Sequence, residues 1–295
     1  MTPTFLLSSR LGLLHQPQGQ TELNVGVEEG PEAVITPQLA EELGLTTHHC
    51  RFSSPDKIQA EDYYSVFSRE TQACAHSIAS VLRVSPKHRP TSIVVGGDHS
   101  VSLAHLSALL STVALPHKTG ILMLDSHADI NLVKTSPTGN IHGMWLRPVV
   151  DNFDQLELDS LVSQKVLTKN LVYIGNQDLD PAEREFIKAQ GIQTFSVSYL
   201  RENKDEVVAW LRNWFGTLNH LHLSIDVDGF DQSLAPATGI PSLDGLLRED
   251  VTELFAEVQQ RPQWSLDLVE VNPQKSGALK TIEFTQSLLR ELLSH

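Results

Sequence analysis

Six short aliphatic runs, each four or five residues long and followed by a cluster containing Gly, Asp or His, set the strongest limit on what this chain can fold into. They fall at residues 92–95, 120–124, 171–174, 192–196, 221–225 and 266–269. Nearly continuous apolar character at this length suits strands covered on both faces of a parallel sheet. Amphipathic stretches lie between them. Residues 62–84 put Phe67, Cys74, Ile78 and Leu82 on one stripe, and residues 204–218 do the same with Val207, Trp210, Leu211 and Trp214. Residues 249–260 give Val251, Leu254, Phe255 and Val258, again at helical spacing. Pro181 opens a further helix behind Asp180, where a missing N–H costs nothing. Strand–helix alternation predicts an α/β protein, a three-layer α/β/α sandwich with a central, mostly parallel sheet. No linker composition divides the 295 residues, so a single domain over 1–295 is expected.

Composition narrows the function classes. A hydrophobic content of 40% allows a sizeable core. The formal net charge of −14 lacks the basic footprint of a nucleic-acid binder, while a negative cleft attracts a small cationic substrate. Only Cys50 and Cys74 are present, with no CxxC, so neither a disulfide framework nor a zinc knuckle is expected. The apolar run near the N-terminus is too short for a signal peptide, and none is long enough to span a membrane. A cytoplasmic protein without a membrane partner is the expectation.

Chemistry-bearing residues follow the aliphatic runs, and in open α/β sheets sites form at the carboxyl ends of strands. Asp125-Ser126-His127-Ala128-Asp129 follows one run, and Asp226-Val227-Asp228 another. In extended backbone, alternate residues project to one side, which would aim Asp125, His127 and Asp129 at one point and pair Asp226 with Asp228. Gly96-Gly97-Asp98-His99-Ser100 turns closely and presents His99. Each segment alone reads as readily as a turn or a helix cap. Together they gather four carboxylates and two imidazoles, which repel or stay protonated unless cations neutralise them. Two divalent ions fit that count, and oxygen donors with some imidazole suit Mn²⁺ better than zinc's sulfur-rich structural sites. Such a pair, about 3.5 Å apart, can share a water and lower its pKa.

These segments, in this order, resemble the signature segments of the arginase/ureohydrolase family. Gly26-Val27-Glu28-Glu29-Gly30-Pro31, Gly139-Asn140-Ile141-His142-Gly143, Tyr173-Ile174-Gly175, Asp178-Leu179-Asp180-Pro181 and Glu270-Val271-Asn272-Pro273 extend the resemblance over most of the chain. It implies an α/β/α fold, a binuclear manganese centre (Co²⁺ or another divalent ion being an alternative) and a trimer or hexamer. His99, Asp125, His127, Asp129, Asp226 and Asp228 would be the metal ligands, with Asp125 and Asp228 bridging. Asp129 would orient a metal-bridging hydroxide that adds to a guanidinium carbon and would pass a proton to the departing amine. Glu270 would pair with the guanidinium, since a planar fork matches a carboxylate. His142 would shuttle protons.

The metal centre does not name the guanidine. By the same resemblance, Asn131 and Thr138 would meet an α-carboxylate, and Asp180 an α-amino group. That set favours L-arginine, cleaved to L-ornithine and urea. The alternatives are a ureohydrolase acting on agmatine or another guanidino compound, and an inactive arginase-like binding protein. The sequence departs from the arginase pattern at Ile240, where Thr is usual beside the guanidinium-binding Glu, at Thr138 in place of Ser, and at Gln232 in place of Pro.

Overall fold

The computed structural model describes residues 1–14, 24–84 and 90–294. Eight strands form one sheet, in which every pairing is parallel. The strands are β1 (Thr2–Ser8), β2 (Leu45–Arg51), β3 (Ile93–Gly96), β4 (Thr119–Leu124), β5 (Leu171–Ile174), β6 (Gln193–Phe195), β7 (His220–Asp226) and β8 (Trp264–Val269). Their order across the sheet is β2-β1-β3-β8-β7-β4-β5-β6. The six aliphatic runs correspond to β3 through β8, within a residue or two at each end.

The first two strands were missed, for a physical reason. β2 reads Leu-Thr-Thr-His-His-Cys-Arg, and only Leu45 is buried, because β2 is an edge strand. β1 is fully buried from Pro3 to Leu7, but it lies at the chain start, where its apolar run was weighed only as a leader. Four helices match their periodic stretches: Tyr63–Val84, Pro181–Gln190, Lys204–Gly216 and Arg248–Gln259. The helix Ser102–Leu110 carries no amphipathic signal because every residue but Ser107 is buried.

Both faces of the sheet are covered. Leu6, Val95, Leu122, Leu223 and Leu266 face the layer that holds Leu211, Leu254 and Leu288. Ile121 and Met123 face Leu106, Trp145 and Ile187, while Phe5 and Val94 face Ile78 and Ala104. Among the described residues no helix is long and apolar enough to cross a membrane.

The strand order sets the location of the site. From β4 the chain builds outward to β5 and β6, and from β3 outward lie β1 and β2, while β7 and β8 fill the gap between β3 and β4. The four adjacent central strands β3, β8, β7 and β4 therefore bring segments some 30 to 170 residues apart to one rim, where order reverses and a crevice opens.

Candidate metal centre and pocket

The alternate spacing of the acidic motifs acts through turns, not through a strand pleat. β4 stops at Leu124 and β7 at Asp226. Beyond each strand, an aspartate bends the chain by accepting the N–H two residues on. Asp125 Oδ1 accepts from His127 N at 2.7 Å, Asp226 Oδ1 from Asp228 N at 2.9 Å, and Asp98 Oδ1 from Ser100 N at 2.9 Å. At Asp125 and Asp226 one carboxylate oxygen makes the turn while the other faces His99. Asp98 is wholly structural: its second oxygen accepts Gly12 N–H, and burial pushes its carboxyl up to about 6. Gly97 is required beside it, since a side chain there would run into the Ser9 carbonyl.

His99 then points into the crevice. Its Nε2 meets Ser224 Oγ at 3.0 Å, which leaves Nδ1 facing Asp125, Asp129 and Asp226 at 3.2, 3.0 and 3.1 Å. His127 Nδ1 faces Asp228 at 3.2 Å and Asp125 at 3.7 Å. Two groups of potential ligands result, His99–Asp125–Asp226 and Asp125–His127–Asp228. Asp125 belongs to both, one oxygen toward each imidazole. Asp228 groups with His127 only. Asp129 sits against His99, its Oδ2 also accepting the Trp145 indole N–H at 3.0 Å.

The electrostatics are frustrated in a way that cations relieve. Burial alone would strip both imidazoles of charge, yet the surrounding carboxylates hold His99 and His127 well above the usual histidine range. Burial, then Asp228 and Asp125, push Asp226 far up. Asp129 and Asp228 are also raised, burial being the largest cause. Despite its burial, Asp125 is lowered by His127 and His99. His99 Nδ1, Asp125 Oδ2 and Asp228 Oδ1 are buried and have no hydrogen-bond partner. Buried polar atoms are ordinarily paired, so three such atoms in one cluster fit a divalent-ion site.

A second cluster serves as the control. His105, His222 and Asp267 are also close enough to hold an ion. There, however, Asp267 bonds both imidazoles, His105 Nε2 meets Ser92 Oγ at 2.8 Å, and His222 Nδ1 meets Ser265 Oγ at 2.9 Å. His220 completes the chain through Ser265 at 2.9 Å. Every ring nitrogen that faces this network is satisfied, and no atom of the cluster is left without a partner, so it is a closed polar seam within the fold.

A cavity of 240 Å³ opens over the first cluster. Every candidate ligand, catalytic and substrate-binding residue lines it except Asp125, which is fully buried. Glu270 stands on the β8 side. Its Oε1 accepts His99 N–H at 2.9 Å and its Oε2 accepts Asn24 Nδ2–H at 2.7 Å. Burial first, then Asp98 and Asp228, push its carboxyl up to about 8. Asn131 Nδ2 donates to Asp180 Oδ2 at 2.7 Å, Thr138 Oγ1 accepts Asn140 N–H at 3.1 Å, and Asn131, Asp180 and Thr138 all line the cavity. His142 is drawn down to about 3 by burial and by the charges on His127 and His99. Asp129 and Glu270 have left-handed backbones, with φ of 52° and 69°, a conformation costly for such residues and concentrated at working sites.

Sequence reasoning missed Asn24, Trp145 and Glu183. Glu183 holds the Asn131 wall by accepting Ile130 N–H and Asp180 N–H, both at 3.0 Å. A Glu three residues after an N-cap Asp was a legible capping signal. Asn24 and Trp145 had none.

The sequence profile of the arginase family matches residues 11–294. The chain belongs to the arginase family. An arginase of Emericella nidulans is 32% identical over 93% of this chain and 90% of its own length. An arginase of Staphylococcus aureus is 36% identical, over 67% of this chain and 65% of its own length, slightly under two thirds of that relative. The solved arginase of Bacillus caldovelox superposes with a TM-score of 0.83 at 25% identity, covering 100% of this chain and 99% of that one. Arginase-family membership accounts for the shared order of segments and for a metal-binding cluster at this rim.

Proposed function

We propose that the chain hydrolyses L-arginine to L-ornithine and urea, with two manganese ions held by His99, Asp125, His127, Asp129, Asp226 and Asp228. The observation that carries this reading is the pair of His/Asp groups sharing Asp125 beneath a pocket that Asn131, Thr138, Asp180 and Glu270 also line. Two divalent ions held there would supply a water of lowered pKa as the nucleophile. Glu270 receives the guanidinium, a planar cation suited to a carboxylate. Asn131 and Thr138 meet the α-carboxylate, and Asp180 the α-ammonium. Trp145 holds Asp129 Oδ2, which leaves Oδ1 to take a proton and deliver it to the departing amine. His142, which also lines the pocket, would shuttle protons between the site and solvent.

Manganese is supported by the oxygen-rich donor set. Two unpaired cysteines support a reducing compartment, here the cytoplasm. Family membership supports a homo-oligomer, a trimer or hexamer, which light scattering after gel filtration measures.

The test is urea release by Mn²⁺-loaded protein from L-arginine, agmatine and guanidino acids, with a chelated sample beside it. We expect turnover of L-arginine and its loss on chelation. Turnover of agmatine with none of L-arginine transfers the reading to another guanidine. No release from any guanidine leaves an inactive binding protein of this fold.

A further inference from the structure

Glu270 is the group on which guanidinium recognition turns, and the resemblance places a hydroxyl-bearing residue near it at position 240. Here that residue is Ile240, 39% exposed at the pocket wall and unable to donate a hydrogen bond. Glu270 is nonetheless held at both oxygens, and the donor to Oε2 comes from the other end of the chain, Asn24.

The orientation of the Asn24 amide follows from its neighbours rather than by assumption. Gln274 N–H is a donor, and Asn272 must turn Oδ1 to meet it at 2.9 Å. Asn272 Nδ2 therefore faces the other way, donating to Val25 O at 2.9 Å and to Asn24 at 2.7 Å. Asn24 must then present Oδ1 to Asn272, so the group left facing Glu270 is its Nδ2–H, a donor to a carboxylate. Gly26 permits this approach: φ is +100°, and a Cβ there would lie 2.8 Å from Asn272 Oδ1. The turn at Gly239 closes over the pair, with an added Cβ only 3.1 Å from Asn24 Nδ2 and 3.6 Å from Glu270 Oε2.

We infer that Asn24 is a positioning residue for guanidinium recognition, its amide holding Glu270 from the N-terminal segment in place of a hydroxyl at position 240. The inference rests on the reading of Glu270 given above. The chemistry suits the task. A neutral amide donor favours the carboxylate anion yet adds no positive charge to repel a guanidinium. With one protein donor on each oxygen, each keeps a further lone-pair site for the fork of the substrate. Asn131 and Asp180 bond each other, and the Asn24 amide bonds Glu270 and Asn272 instead.

The test uses Mn²⁺-loaded wild type, Asn24→Ala and Asn24→Asp. The probes are the guanidine that the wild type turns over best and norvaline, an aliphatic α-amino acid with no guanidinium. Loss of one charge-assisted hydrogen bond should raise KM for the guanidine about tenfold in Asn24→Ala. Asn24→Asp, which sets a second carboxylate against Glu270, should raise it further. Norvaline affinity, manganese content and melting temperature should stay near those of the wild type. An unchanged KM overturns the inference. A parallel fall in norvaline affinity also overturns it, since that marks a general collapse of the pocket. If the wild type prefers a guanidine other than arginine, the arginine reading fails while this test stands. If it cleaves none, both fail.

Discussion

At the scale of single residues, the site separates groups that act on reacting atoms from groups that hold the substrate. Asp129 touches the His99 group, has a left-handed backbone and accepts the Trp145 indole N–H at Oδ2. Asn131 lines the pocket tied to Asp180. The two should fail differently. Asp129→Ala should cut kcat by roughly 10²–10⁴ through loss of proton transfer. Asn131→Ala should leave kcat near that of the wild type and raise KM about tenfold, the effect of one hydrogen bond. Steady-state kinetics on the two variants checks this, and equal loss of kcat in both with unchanged KM contradicts the assignment. Asp125, His127 and Asp129 were legible because they lie within five residues of one another. Their common aim comes from turns that Asp125 itself stabilises, so the spacing was right and the pleat behind it was not.

Elements decide whether those residues stay where they are needed. The helix Pro181–Gln190 begins behind Asp180, whose N–H Glu183 Oε2 accepts at 3.0 Å, tying the first turn back on its own start. Glu183 also reaches out of its own helix to Ile130 N, next to Asn131. One buried carboxylate, pushed up to about 7 chiefly by burial, therefore fixes two segments of the substrate wall. Glu183→Ala strands two backbone donors and should lower the unfolding free energy by about 2 kcal/mol. It should raise KM more than it lowers kcat. Denaturant melts with kinetics on the same sample decide the matter; wild-type stability would remove Glu183 from this role. The proline and the Asp–Glu spacing of this element were visible in the sequence, whereas its second bond, to Ile130, spans 53 residues and has no local mark.

For the molecule as a whole, the parallel sheet carries a buried polar seam along β7 and β8, distinct from the metal cluster. His220, at one end, has its proton affinity pulled down to about 3 by burial and then by His222 and His105. Unfolded, the same imidazole titrates near its ordinary value of 6.5. Between these values the unfolded chain binds one more proton, so stability must fall as pH falls, by at most about 1.4 kcal/mol per pH unit from this residue. His222, also lowered by burial, adds to the same slope. Asp267, which its two histidines hold well below the carboxylate range, contributes stability that is lost only below its unfolded value of 3.8. Unfolding of chelated protein between about pH 6 and pH 5, below the range in which the raised His99 and His127 oppose it, should show the slope, and His220→Gln should flatten it by about one proton. An identical slope in that variant contradicts the account.

The sequence by itself determined the layered α/β class, the eleven residues that meet at the rim and the segments of the arginase family, because each of these is written in short, local patterns. Aliphatic runs mark strands buried on two faces, and aspartates two residues apart bend their own backbone. Tertiary structure alone decided the rest. The edge strand β2 has no continuous apolar run because its side chains are only partly covered. The Asn24–Glu270 bond joins residues 246 apart, and the His105–Asp267–His222 seam joins three elements. Such contacts depend on which strands the fold sets side by side, and no periodicity along the chain encodes that order.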